Sequence, residues 1–434
     1  MDLIVEARAW IQGSLRDVEI GIEDGRIKAV KHDLPGSPRK RFRNQLLFPS
    51  GVDWHVHMRD PGAHVKEDFR TGTIAAAFGG IGTVFDMPNT NPVVDRPSRL
   101  AEKAETIASK ACVNWGLWAT VTPQSVQVEK LIRESNGLKL FLSHTTGVET
   151  TLSDAEIAAA VAKAQTARRW VLVHAESKPG ERVAQSTRDH DLNRPADEEV
   201  AAIQRLGKLL EDPDGVHIAH ATTKEALEAA RTAGFNAAVT PHHLLLSHET
   251  VTDAFGKVNP PLRSEGQRRS LLESFVKGDI LQLESDHAPH TIENKRERFH
   301  EAPSGLPGVE TMLPLMLQLA KFGDVPLGHV IEAACERPAQ LLGVDAGFLM
   351  PGRRADFFVV DPKTPTKIRG DRLASRAGWS PYDGRQALIP THHYLAGEPI
   401  VEDGEFIGRV GRGERIEPMA RPEQATPSFV HRKP

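Results

Sequence analysis

Short apolar runs that alternate with amphipathic helical patterns, and that close repeatedly on a residue able to bind a metal, constrain this chain more than any other feature. Such runs occupy 83–87, 170–174, 216–220, 237–241 and 280–286, and each reads as a strand. Between them lie helical patterns with recognisable limits: Asp154 leads into 155–164, and Thr223 caps a helix that begins at Lys224 and stops at Gly234. Over about 50–345 this alternation is the signature of repeated β-α units and a parallel sheet, expected to close as an α/β fold of the (β/α)8 TIM-like barrel type. In such a barrel the carboxyl ends of all strands meet on one rim, so residues far apart in sequence become neighbours.

The flanking segments follow a different pattern. Residues 1–49 hold short alternating runs at 17–23 and 26–30, separated by Gly and Asp turn signals, which fits antiparallel strands. Strand character returns in 346–434, at 355–361 and 392–401, with a turn at Asp403-Gly404. The two flanks are expected to pair into one small β-sandwich domain. From about 417 the chain is rich in Pro, Arg and Glu and lacks apolar periodicity, so it should wrap the surface or fray.

Composition narrows the partners. With 54 basic and 58 acidic side chains the net charge is -4, and no basic block occurs, so a nucleic-acid or membrane-surface role has no electrostatic support. A small-molecule substrate is expected instead. Cys112 and Cys335 are the only cysteines, too few for a disulfide framework. The N-terminal stretch has no cationic start followed by a long apolar run, and no span of about 18 apolar residues occurs, so a cytoplasmic protein is expected.

The chemistry lies where the strands end. His55-Val-His57 places two imidazoles on one face of an extended strand, since alternate side chains share a face, and Val56 then points into the core. His174, His220 and Asp286 each close an apolar run, and Lys139 sits inside another, Gly-Leu-Lys-Leu-Phe-Leu. Convergence on one rim would bring these groups into a shared metal site. Lys139 requires a separate account, because an ammonium is costly to bury and cannot ligate a cation. Reaction with carbon dioxide would turn it into a carbamate with two oxygens able to bridge two zinc ions. The other reading is a lysine that snorkels to the strand end and pairs with an acid.

These motifs resemble the metal-dependent amidohydrolase superfamily and, within it, the dihydroorotases, over almost the full chain. The matching stretches are His55-Val-His-Met-Arg-Asp-Pro-Gly, Asp86-Met-Pro-Asn-Thr-Asn-Pro, Lys257-Val-Asn-Pro-Pro-Leu-Arg, Ser285-Asp-His-Ala-Pro-His and Gly305-Leu-Pro-Gly-Val-Glu-Thr. The Lys139 segment is similar to the dihydroorotase domain of the large multifunctional animal pyrimidine protein, where the lysine is carboxylated. It departs from the common bacterial type, which has Phe-Thr-Asp-Asp in this region.

The resemblance implies a set of roles. His55, His57 and Asp286 would hold one Zn2+, His174 and His220 a second, and carboxylated Lys139 would bridge the two together with a hydroxide. Asp286 would be the catalytic acid and base. Arg59, Asn89, Asn259 and His290 would frame the substrate, the planar guanidinium taking a carboxylate in bidentate fashion. The implied reaction is the reversible cyclisation of N-carbamoyl-L-aspartate to L-dihydroorotate in pyrimidine synthesis.

Further expectations attach to neighbouring segments. Ser143 to Gly147 follows the Lys139 strand and reads as a lid or an ordinary loop, with Thr145 and Thr146 as donors if it closes. The Gly305 to Gly308 turn is expected to approach substrate with its backbone, at Gly308 in particular. His242-His243 is assigned a structural or supporting role. The alternatives are a related cyclic-amide hydrolase acting on hydantoins, dihydropyrimidines or allantoin, and a non-catalytic partner of aspartate transcarbamoylase. A homodimer is expected by analogy.

Overall fold

Four strands open the chain in the computed structural model, which describes residues 1–143, 152–177, 179–280 and 282–423. They are β1 (Leu3–Ile11), β2 (Ser14–Glu23), β3 (Arg26–Lys31) and β4 (Arg39–Pro49). Alternation explains them: Val5, Ala7, Ala9, Ile20, Ile22 and Ile27 share one buried cluster, while charged neighbours such as Glu6, Arg8 and Asp17 turn away. Two-residue turns at Gln12-Gly13 and Asp24-Gly25 take positive φ at both positions, the geometry that matches the right-handed twist of a tight hairpin.

A run of seven short strands follows: β5 (Gly51–Val56), β6 (Ile81–Asp86), β7 (Asn114–Leu117), β8 (Gly137–Phe141), β9 (Trp170–His174), β10 (Val216–Ile218) and β11 (Asn236–Ala237). All pair in parallel, as β5-β6-β7 and as β8-β9-β10-β11. Single-residue parallel bridges complete the circuit. Ala119 pairs with Leu138, Val239 with Leu283, and His287 with Val56, which returns the hydrogen bonding to β5. Helices lie between the strands, and their starts are chemically explicit. Ser153, rather than the expected Asp154, caps the helix Asp154–Thr166 through a capping box with Glu156, and Thr223 caps Lys224–Thr232.

Three of the strands expected from the sequence are shorter than the apolar runs that announce them, β10 ending at Ile218 rather than at 220. At 237–241 only Asn236–Ala237 is strand, because Thr240 leaves the ladder to cap the helix Pro241–Leu245. At 280–286 the described residues carry isolated bridges alone. Buried carboxylates take over backbone donors there: Asp53 Oδ1 accepts from Ser285 N–H at 3.2 Å, and Asp286 has φ 44. The floor beneath the rim is aromatic, with Trp54 packed edge-on against Trp118, Trp170 and His217.

Beyond this unit come β12 (Phe357–Val360), β13 (Thr366–Lys367), β14 (Gln386–Ala387), β15 (His392–Leu395), β16 (Glu398–Glu402) and β17 (Glu405–Phe406). The terminal strands share one buried cluster and turn back on one another, with Ile27 N–H bonded to Arg353 O, Ala355 N–H to Gly25 O and Arg26 bridged to Arg354. They join in one eight-stranded sheet in the order β17-β16-β15-β12-β4-β1-β2-β3. The reason is β4, long enough to hold β1 along one edge and β12 along the other. Its pairing with β1 is parallel, unlike the antiparallel order expected for the N-terminal segment. The expected turn at Asp403-Gly404 joins β16 to β17 with positive φ at both residues.

The last described residues wrap rather than fray. Gly413 N–H donates to Ala111, Ile416 N–H to Trp115, and Arg421 lies 5.1 Å from the Trp170 ring while pairing with Asp214. No helix among the described residues is long and apolar enough to cross a membrane.

Candidate metal centre and substrate pocket

His55 and His57 sit at the end of β5, and Asp286 immediately precedes His287, whose bridge to Val56 brings this segment beside β5. One ligand atom from each of the three lies within 4.8 Å of the others. His57 Nε2 is 3.1 Å and His55 Nε2 3.4 Å from the same oxygen, Asp286 Oδ1. Each ring is held from behind. His55 Nδ1 contacts Glu284 Oε1 at 3.0 Å, and His57 Nδ1 contacts Asn89 Oδ1 at 2.8 Å. With Glu284 Oε1 and Asn89 Oδ1 as acceptors at Nδ1, the tautomer with hydrogen on Nδ1 would leave each Nε2 available to a cation. Burial works to raise the Asp286 carboxyl, yet the adjoining His55 and His57 hold it well below the usual carboxylate range. Burial also pushes His57 down to about 4, so the ring is neutral and able to ligate at ordinary pH.

His174, the last residue of β9, and His220, just past β10, form the second group. His174 Nδ1 and His220 Nε2 face one another at 3.1 Å. Glu176 Oε2 holds His174 Nε2 at 2.6 Å, and Arg194 Nη1 in turn donates to the same oxygen at 2.8 Å. Burial opposes the charged form of Glu176, but the His174 hydrogen bond and the Arg194 cation bring it down to about 2.

Lys139 is the middle residue of β8 and is fully buried. Its Nζ has no hydrogen-bond partner among the described residues and lies 5.4 Å from the Phe141 ring. Burial pushes its ammonium below the ordinary lysine range, and pushes the Glu284 carboxyl above the ordinary range of an acid. An unbonded amine lining the same cavity as four histidines is what a carbamate ligand would start from. The snorkelling alternative is not what the side chain does, since it makes no ion pair within hydrogen-bond reach among the described residues. The donor set of imidazole nitrogens and carboxylate oxygens suits zinc.

One cavity is lined by His55, His57, Arg59, Asn89, Lys139, His174, His220, Asn259 and Asp286, with Phe141, Ala288, Ser304 and Gly305. Arg59, at φ 59, donates from Nε to Pro289 O at 3.2 Å, and Nη2 lies 3.1 Å from His290 Nε2. Burial lowers its guanidinium to about 10, which leaves it charged. Asn259 Oδ1 accepts from His190 Nε2 at 2.8 Å, so its NH2 remains for the cavity.

His290 and Gly308 stand outside this lining. His290 lies one layer back, between Arg59 and Ser304 O, so it braces the guanidinium. Gly308 donates its N–H to His287 Nδ1 at 3.1 Å, and a Cβ there would meet Ser285 O at 2.9 Å. The glycine facing the cavity is Gly305, at φ 133, where a Cβ would strike Ala288 O at 2.4 Å. Ser143 is buried, whereas Thr145, Thr146 and the rest of the expected lid lie outside the described residues. His243 is structural, bonded to Thr240 Oγ1 and Pro260 O.

Sequence reasoning missed the outer carboxylates. Glu284 and Glu176 each sit two residues from a ligand, and that i, i+2 spacing was the available signal, as it was for His55 and His57.

The whole chain has relatives. Residues 46–388 match the model of the "Amidohydrolase family". The chain is 34% identical to a dihydroorotase of Thermoplasma acidophilum over 414 residues, covering 94% of this chain and 96% of the relative. Identity to the dihydroorotase of Halobacterium salinarum is 35% over 417 residues, covering 93% and 97%, and to that of Staphylococcus epidermidis 32% over 428 residues, covering 93% and 100%. Among solved structures, L-hydantoinase (dihydropyrimidinase) from Arthrobacter aurescens superposes with a TM-score of 0.89 at 24% identity, covering 96% of this chain and 99% of that one. At that identity the likeness is one of fold.

Proposed function

Because this chain belongs to the amidohydrolase family, and within it to the dihydroorotases, we propose that it catalyses the reversible cyclisation of N-carbamoyl-L-aspartate to L-dihydroorotate. The observation that carries this reading is the single cavity shared by a carboxylate-binding guanidinium, Arg59, and by His55, His57, Lys139, His174, His220 and Asp286. The closed circuit of parallel pairings supports an eight-stave β/α barrel with this cavity at its carboxyl rim.

His55, His57 and Asp286 would hold one Zn2+, and His174 and His220 another, with Lys139 as its carbamate between them. When bound, such a pair lowers the pKa of water and polarises the scissile amide. The protein's own groups do the rest. Arg59 takes a substrate carboxylate in its planar fork, braced by His290 and Pro289 O, and Asn259 donates to substrate oxygens. Asn89 bonds the His57 ring and reaches the same cavity. Asp286 keeps Oδ1 turned to both imidazoles, which leaves Oδ2 to take the proton of the attacking water and to return it to the departing ring nitrogen. In the biosynthetic direction the two transfers reverse.

A cytoplasmic location, a homodimer and association with aspartate transcarbamoylase belong to the same reading. Sedimentation of the purified chain with and without the transcarbamoylase measures the last two. The activity itself is tested by assaying dihydroorotate, hydantoin, dihydrouracil and allantoin side by side. Preference for dihydroorotate is expected, and preference for any of the other three overturns the assignment in favour of a related cyclic amidohydrolase.

A further inference from the structure

Glu284 belongs to neither candidate ligand group, yet it touches both. Its Oε1 is 3.0 Å from His55 Nδ1 and accepts the His220 backbone N–H at 2.6 Å, while Oε2 accepts Trp54 Nε1–H at 3.0 Å. The side chain is fully buried, and its own N–H donates to Val239 O at 3.1 Å, so the carboxylate is held from both ends. His220 has φ 41, a left-handed backbone that a non-glycine residue keeps only where surrounding bonds over-determine it. The bond from its N–H to Glu284 is one such restraint.

We propose that Glu284 is the positioning residue that couples the two halves of the metal centre through a single oxygen. Burial opposes ionisation of Glu284, but the His220 N–H, the Trp54 Nε1–H and the Lys139 cation favour it, and the ionised group can only accept, so Oε1 then places the His55 hydrogen on Nδ1 and frees the Nε2 lone pair for a cation. The same atom fixes the left-handed turn that aims the His220 ring at His174. Ligands on β5 and just past β10 are thus set by one buried group. The inference rests on the reading of this cavity as a metal centre, and its test does not depend on turnover.

Glu284→Gln preserves shape but not chemistry. If the amide oxygen faces His55 and His220, the NH2 confronts Trp54 Nε1–H. If it faces Trp54, the NH2 confronts His55 Nδ1–H and His220 N–H. Either way two donors oppose each other in a dry site. Zinc affinity, measured by competition with a chromophoric chelator, is therefore expected to fall about tenfold to hundredfold, in both equivalents. Adding Trp54→Phe to Glu284→Gln should recover part of that loss, because the NH2 then no longer faces a donor.

The histidine tautomer is read independently of any Glu284 variant. In metal-free wild-type protein labelled with ¹⁵N-histidine, His55, identified by its absence from His55→Gln, is expected to carry its hydrogen on Nδ1. Hydrogen on Nε2, or wild-type zinc affinity in Glu284→Gln, overturns the proposal. If Glu284→Gln does not fold, the wild-type tautomer decides. Wild-type turnover of dihydroorotate is scored separately: its absence alongside weakened zinc removes the activity and keeps the positioning role, and its presence alongside unweakened zinc does the reverse.

Discussion

The two halves of the metal centre are assembled to different degrees. On the His55 side, two rings and a carboxylate already converge, each imidazole has its outer acceptor, and Asp286 supplies the negative charge a dication needs. On the His174 side two neutral-type donors face each other at 3.1 Å, and the nearby Lys139 brings an amine without a partner among the described residues. The difference is one of charge. On the proposed two-metal reading the first half owns its anion, whereas the second would have to make one from Lys139 and carbon dioxide, so the second should be weaker and the first able to fill alone.

Lys139→Ala tests this most severely. It should abolish nearly all turnover, about 10³-fold or more given the several kcal/mol that a metal clamp supplies, while about one zinc per chain remains by elemental analysis. Near-normal turnover, or two retained zinc ions, would break the contrast between the halves. Glu176→Gln probes the second half from outside, by loosening His174. It should weaken one equivalent of zinc by up to about a hundredfold and leave the other unchanged, and dialysis of wild type against a chelator should release metal in two phases, the His174 half first. Anomalous scattering near the zinc edge from a half-depleted crystal shows which peak is lost. Arg59→Lys should spare both metals and raise KM about tenfold, since a lysine replaces a bidentate charged contact with a single one. Loss of zinc in that variant would mean the guanidinium supports the first half as well as the substrate. The smallest effect is expected from Gly308→Ala, whose Cβ presses on Ser285 O beside Asp286. It should cost about 1–2 kcal/mol in urea unfolding and leave KM unchanged; a raised KM would restore Gly308 to the substrate contacts.

The candidate ligands were readable in the sequence and most of their supports were not, for a physical reason. A cation demands particular residue types at strand ends, and His55, His57, His174, His220 and Asp286 advertise themselves by interrupting apolar runs. Glu284 shows in sequence only that it is acidic, and its hold on His55 depends on segments that meet only in the fold, whereas Glu176 holds a ring two residues away, His174. The strands expected at 237–241 and 280–286 were over-long for a related reason. Thr240 and Asp53 offer side-chain oxygens to backbone N–H groups, and hydropathy does not register that competition. Gly305 and Gly308 lie three apart in one turn, and only the approach of Ala288 O to Gly305 decides which one faces the cavity. The hairpin turns at Asp24-Gly25 and Asp403-Gly404 were legible because positive φ selects their residues locally, while the parallel pairing of β1 with β4 depends on a loop closure that leaves no local mark.

The position of β4 between β1 and β12 has a consequence for synthesis. On the ribosome β4 emerges with the first strands, but the partner for its second edge, Phe357–Val360, is translated only after the whole ring of β-α units. Until then the nascent protein carries an open row of peptide groups at Leu46 to Pro49, the kind of edge that recruits strands from other chains. Truncations that end before Phe357 should therefore accumulate as aggregates even though every residue of the cavity has already been made.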